Sequence, residues 1–121
     1  NAERLIQFYK RLGFTINDEA EWRSGTANIF SIQIGDSKIN VHPEGYTASY
    51  RGPTAVPGCT DICFVWEGSI EECQKMLSDV GVEVIRGPGP RKGARQKGVL
   101  PAVSLYARDP DENLLEWMIY T

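Results

Sequence analysis

Apolar and polar positions repeat along this chain with two periods, and the changeovers mark its elements. From 2 to 12, "AERLIQFYKRL" sets Leu5, Phe8, Tyr9 and Leu12 on one helical stripe. Asn1 is placed to cap that helix and Gly13 to stop it. Phe30, Ile32 and Ile34 alternate with Ser31 and Gln33, the two-residue period of a strand. Residues 35–37 then predict a tight turn, and "KINVH" (38–42) the returning strand. Residues 43–58 hold three prolines and three glycines and read as a linker. "CTDICFVW" (59–66) is the next strand. Ser69 with Glu72 three residues on is a capping-box signature. Ile70, Cys73, Leu77 and Val80 form the stripe of that second helix, and Gly81 ends it. "VEVI" (82–85) predicts a short strand. "RGPGPRKGARQKG" (86–98) is too rich in Gly, Pro and charge for regular structure. "AVSLYA" (102–107) is a strand, "RDPDEN" (108–113) a turn, and "LLEWMIY" (114–120) the last strand.

These elements repeat. The helix ends "RLGFTI" and "DVGVEVI" match with Gly13 on Gly81, a shift of 68 residues, and the hairpins "GDSKINVH" and "PDENLLEWM" match loosely. Two repeats of this size point to a duplicated module and a pseudo-two-fold structure. The expected division is a first module over 1–45, a linker over 46–58 and a second module over 59–121. By the repeat, a strand precedes the first helix, yet the chain begins at Asn1 directly on that helix. The expectation is that residues before Asn1 supply it, because a module lacking its first strand leaves an open edge.

Composition narrows the function classes. With 121 residues and 41% hydrophobic side chains, the chain suits one packed domain. A formal charge of −3 argues against general nucleic-acid binding. No apolar run approaches the roughly 20 residues of a membrane span. Three cysteines without framework spacing read as reduced, cytoplasmic thiols, and Cys59 and Cys63 as small hydrophobes sharing one strand face.

The chemical question centres on Glu116, a lone acid among Leu114, Leu115, Trp117 and Met118. A carboxylate there faces solvent, pairs with a base, or binds a cation, since burying it unpaired is costly. Asn40 and His42 share a strand face, and aligning the two hairpins sets one or the other opposite Glu116. Tyr106 shares parity with Ser104 and is a pocket candidate, whereas Trp66 and Trp117 read as core. Arg86, Arg91, Lys92, Arg95 and Lys97 crowd five cations into the Gly-rich stretch. That stretch reads either as a solvated loop or as a mobile flap offering Arg91 and Arg95 to a substrate carboxylate or phosphate. Its glycine spacing is not that of a nucleotide phosphate loop. Ser24 and Ser104 have no neighbouring His, and Cys63, with no base beside it, is expected to be inert.

The doubled order and the segments "FYKRLGF", "KINVHPEG", "PGCTDICFV" and "SLYARDPDENLLEWMIY" resemble the vicinal oxygen chelate superfamily of glyoxalases, bleomycin resistance proteins and extradiol dioxygenases. They look most like its subfamily of glyoxalase domain-containing protein 5 and bacterial virulence-associated proteins. The resemblance implies an α+β fold of two pseudo-symmetric βαβββ modules, their mixed sheet curled into a cup with the helices outside. It implies a divalent metal in the cup, with His42, Asp61 and Glu116 as its readable ligand positions and Glu116 also catalytic. His is the common residue at the position of Asp61. Asn40, Tyr106, Arg91 and Arg95 become substrate contacts. Such an ion binds two adjacent substrate oxygens and stabilises an enolate. Two functions follow: a metal-dependent lyase, isomerase or dioxygenase on a small oxygenated molecule, or a non-catalytic protein that binds a small molecule or antibiotic in the same cup. The resemblance implies a homodimer in either case.

Overall fold

The structure, a computed structural model, describes residues 1–120. The chain forms two compact units, Asn1–Pro57 and Gly58–Thr121. Helices and strands are both present, in two sheets that do not close: the α+β class read from the sequence.

The first unit opens with helix α1 (Ala2–Arg11), whose Asn1 side chain accepts the Arg4 amide at 3.1 Å. Leu5, Ile6, Phe8 and Tyr9 are its buried residues. Strand β1 (Thr15–Asn17), helix α2 (Glu19–Ser24), and strands β2 (Phe30–Ile34) and β3 (Ser37–Val41) follow. The strands form an antiparallel sheet in the order β1-β2-β3. Register puts Ile16, Ile32 and Ile39 in one row and Asn17, Ser31 and Asn40 in the next, so one face is apolar and the other polar. Helix α2 was not anticipated, because it has no apolar stripe. Ion pairs hold it: Arg23 reaches Glu3 at 2.6 Å and Glu19 at 2.8 Å, and Lys10 reaches Glu19 at 2.6 Å. The Arg23 hydrogen bond, then that of Gln7, holds the Glu3 carboxyl down to about 2. Residues 43–58 contain neither helix nor strand.

The second unit is one βαβββ module. It comprises β4 (Asp61–Val65), α3 (Ile70–Asp79), β5 (Arg86–Lys92), a short helix α4 (Arg95–Gly98), β6 (Pro101–Arg108) and β7 (Leu114–Tyr120). The sheet order is β4-β7-β6-β5, with β4 and β7 parallel and the other pairs antiparallel. Ser69 and Glu72 make the reciprocal capping box that starts α3. The turn between β6 and β7 is built on buried Asp109. One of its carboxylate oxygens accepts the Asp111 and Asn113 amides, and the other accepts the Asn113 side-chain amide. Asn113 in turn accepts the Thr60 amide at 3.0 Å, fastening the start of β4 beside the start of β7.

Alternation gives the second sheet two unlike faces. Phe64, Leu105, Ala107, Leu115, Trp117 and Ile119 share one buried face, and Cys73 and Leu77 of α3 join them in the core. The other face carries Cys63, Ser104, Tyr106 and Glu116.

Two sequence expectations change. "VEVI" is not a strand, and the stretch after it is regular: β5 runs through Gly87, Pro88, Gly89 and Pro90. It is an edge strand paired only to β6, with an irregularity between Arg86 and Gly89. An edge tolerates proline because the missing N–H interrupts no second ladder. Cys59 and Cys63 are exposed, while Cys73 alone is buried.

Candidate functional site

Register builds the site row by row on the polar face of the second sheet. Cys63, Glu116 and Tyr106 stand side by side across β4, β7 and β6. The next row holds Val65, Met118, Ser104 and Gly89, and the row beyond it Tyr120, Ala102 and Arg91. Gly89 brings no side chain to the middle row. Arg91 crosses that row, and its Nε donates to the Tyr106 hydroxyl at 2.8 Å. The guanidinium carbon lies 5.5 Å from the Tyr106 ring centroid. Tyr106 donates its own hydrogen to Glu116 Oε1 at 2.9 Å. The result is a directed chain, Arg91 to Tyr106 to Glu116, among half-buried side chains.

This chain answers the question raised by Glu116. The carboxylate is half-buried and meets no base directly; it takes a phenolic hydrogen whose oxygen is held by a cation. A charge-assisted network of this kind offsets the desolvation of a carboxylate on an apolar strand. Beside it, Cys63 is pushed up to about 12. Surrounding protein atoms contribute most, then the Glu116 charge and a hydrogen bond to Glu116, and last the Asp61 charge. Cys63 therefore has a carboxylate neighbour that sequence reading did not see. Only the parallel register of β4 on β7 reveals it, and no local pattern encodes that register.

The remaining candidates fall elsewhere. Asp61 shares the face of Cys63 but is exposed, level with Leu114. Arg95 stacks on Tyr120, 4.6 Å from its ring centroid, and pairs with Glu67 at 2.9 Å. It takes no part in the Glu116 network. Asn40 and His42 belong to the first unit. Asn40 is exposed on the polar face of β3, opposite Ser31. His42 lies one residue past β3, and its Nδ1 is buried with no hydrogen-bond partner among the described residues.

The donor set does not fit the implied metal. Among the described residues, no group of three or more His, Cys, Asp or Glu is placed to hold an ion. On the second sheet, Glu116 already accepts from Tyr106, and Cys63 keeps its proton. A thiol ligates a cation only as thiolate. No helix among the described residues is long and apolar enough to cross a membrane.

Comparison with known proteins gives consistent matches. The model of the Glyoxalase/Bleomycin resistance protein/Dioxygenase superfamily matches residues 1–117. Glyoxalase domain-containing protein RDO1 of Mycosarcoma maydis is 36% identical over 120 residues, covering 99% of this chain and 62% of that protein. The chain thus spans about three fifths of that relative's length. Virulence protein STM3117 of Salmonella typhimurium is 32% identical over 112 residues, 92% of this chain and 71% of that one. Its crystal structure superposes with a TM-score of 0.83 at 28% identity, covering 100% of this chain and 89% of that one. An integron cassette protein from the mobile metagenome of V. Cholerae gives a TM-score of 0.84 at 28% identity, with 100% and 88% coverage.

Proposed function

The chain belongs to the Glyoxalase/Bleomycin resistance protein/Dioxygenase superfamily, and from that premise we propose that it is a glyoxalase-like lyase or isomerase acting by proton transfer. Its substrate is a small oxygenated organic molecule lying on the polar face of the second sheet. The observation that carries this reading is the hydrogen-bond chain from Arg91 through Tyr106 to Glu116.

The chemistry follows from the order of that chain. Glu116 is the base and takes a hydrogen from a carbon next to a carbonyl. Once Glu116 is protonated, it no longer needs the hydrogen of Tyr106. The phenol then turns to the oxyanion left on the substrate, with Arg91 still donating to its oxygen. Returning the proton to the former carbonyl carbon, with the 2-hydroxyl hydrogen passing to the enolate oxygen, isomerises a 2-hydroxy carbonyl; expelling a group β to the carbonyl with its bonding pair, as the enolate reverts to the carbonyl, completes a lyase reaction. The family commonly uses divalent metals, but the donors described here do not assemble such a site, and no step above depends on one. A homodimer belongs to the same proposal and is read by sedimentation.

One observation favours a second reading, a protein that binds a small molecule without turning it over. Glu116 is already satisfied within the chain, as a purely structural carboxylate would be.

Binding is located by amide-shift mapping with small 2-hydroxy and 2-oxo carbonyl compounds and their deoxygenated counterparts. The proposal expects shifts at Cys63, Ser104, Tyr106 and Glu116 that the counterparts do not produce. Shifts confined to other surfaces, or none, contradict it.

A further inference from the structure

Resting on the reading above, we infer that the substrate is a small carboxylic acid whose carboxylate binds the free end of Arg91. The inference starts from a cation with no carboxylate in direct contact. Arg91 is half-buried, and none of the ion pairs among the described residues involves it. Its Nε goes to Tyr106 and its Nη1 to the Pro90 carbonyl at 2.8 Å. Its Nη2 has no partner among the described residues. The guanidinium touches a phenol and a carbonyl but no carboxylate directly; Glu116 answers it only through Tyr106, and Nη2 keeps its hydrogens to give.

Ser104 is a second, independent observation. It stands on the same face, in the row that Arg91 crosses, and it is 0% exposed. Its hydroxyl has no hydrogen-bond partner among the described residues. Buried hydroxyls are rarely left so, and here the orphan belongs to the strand row between those of Tyr106 and Arg91. An oxyanion held on Arg91 supplies the missing acceptor.

Charge selects the class of anion. One guanidinium balances one negative charge, and Glu116 lies just beyond Tyr106. A dianion such as a phosphate monoester brings a second charge close to that carboxylate. Lys92 does not offset it, because alternation turns it to the opposite face, and Arg86, level with Tyr106, is exposed at the sheet edge, where solvent screens its charge. Arg95 is already occupied by Glu67 and Tyr120. A singly charged carboxylate matches the site. It also places the adjacent carbon of a 2-oxo or 2-hydroxy acid toward Tyr106 and Glu116.

The test uses matched pairs on the full chain: pyruvate against pyruvamide, glycolate against glycolamide, and inorganic phosphate alone. Affinities are read by amide-shift titration at fixed ionic strength. The inference expects each acid to bind at least about tenfold more tightly than its amide, as a charge-assisted bond supplies. Arg91→Met removes that preference. Arg91→Lys keeps a charge without the fork and retains only part of it, so the result stands even if the Met variant fails to fold. Ser104→Ala weakens the acids a few-fold and leaves the amides unchanged. Equal binding of acid and amide overturns the inference, as does a preference untouched in both Arg91 variants. Phosphate binding as tightly as the acids marks an adventitious ion only and overturns it too. Failure of the proton-transfer reading looks different. Glu116→Gln leaves the acid preference in place, so acids that bind without exchanging a hydrogen sink that reading and spare this one.

Discussion

Cys63 shows how a neighbour changes a residue. Its thiol is raised from 9.0 to about 12, with surrounding protein atoms first and the Glu116 charge second among the causes. The folded chain thus keeps a proton that the unfolded chain releases near pH 9. That contribution to stability is whole below pH 9 and fades as the pH rises toward 12. Replacing Glu116 with Gln removes the second cause and not the first, so the thiol falls part of the way. Iodoacetamide labelling of Cys63 at pH 8.5, followed by peptide mass spectrometry, is expected to run several-fold faster in Glu116→Gln than in wild type. An unchanged rate contradicts the pairing. Glu116 itself was legible in the sequence, since an acid on an apolar strand demands a partner. Its partners were less so. Tyr106 had the right parity, but Cys63 read as an inert hydrophobe because strand register is a tertiary fact.

At the scale of elements, local chemistry was legible wherever it is self-contained. The α3 capping box and the Asn1 cap of α1 are each closed within four residues. Strand β5 was not, because Gly and Pro read as loop until the strand is known to be an edge. That misreading made Arg91 part of a solvated loop or a mobile flap, whereas the strand fixes it against Tyr106. Helix α2 was missed for the opposite reason: it has no apolar stripe, only Trp22 against Phe30 and a fringe of charge pairs. The Asp109 turn is the joint that sets β7 beside β4. Asp109→Ala leaves two backbone amides and the Asn113 side chain without their acceptor and is expected to cost about 3 kcal/mol. Urea unfolding measures this, and a loss under about 0.5 kcal/mol, the range of ordinary surface changes, contradicts the role given to the turn.

For the whole molecule, duplication was the most readable feature. The matched helix ends, Gly13 on Gly81, point to a repeated module, and the chain forms two compact units. The second shows the full module, with its first and last strands paired in parallel. Function was less readable, because it depends on which side chains one face gathers. The ligand positions implied by resemblance, His42, Asp61 and Glu116, do not form a three-donor group among the described residues. The face gathers Arg91, Tyr106 and Glu116 instead. The claim that this chain transfers protons is tested most directly by hydrogen–deuterium exchange at the carbon next to the carbonyl of a bound 2-oxo acid, followed by proton NMR in heavy water. Wild type is expected to speed exchange over the buffer rate. Glu116→Gln is expected to lose about 100-fold or more of that rate, the lower range for a general base, while still binding the acid, and Tyr106→Phe to lose a smaller part. Exchange at the wild-type rate in Glu116→Gln, or a wild-type protein that binds the acid without exchanging it, contradicts the account.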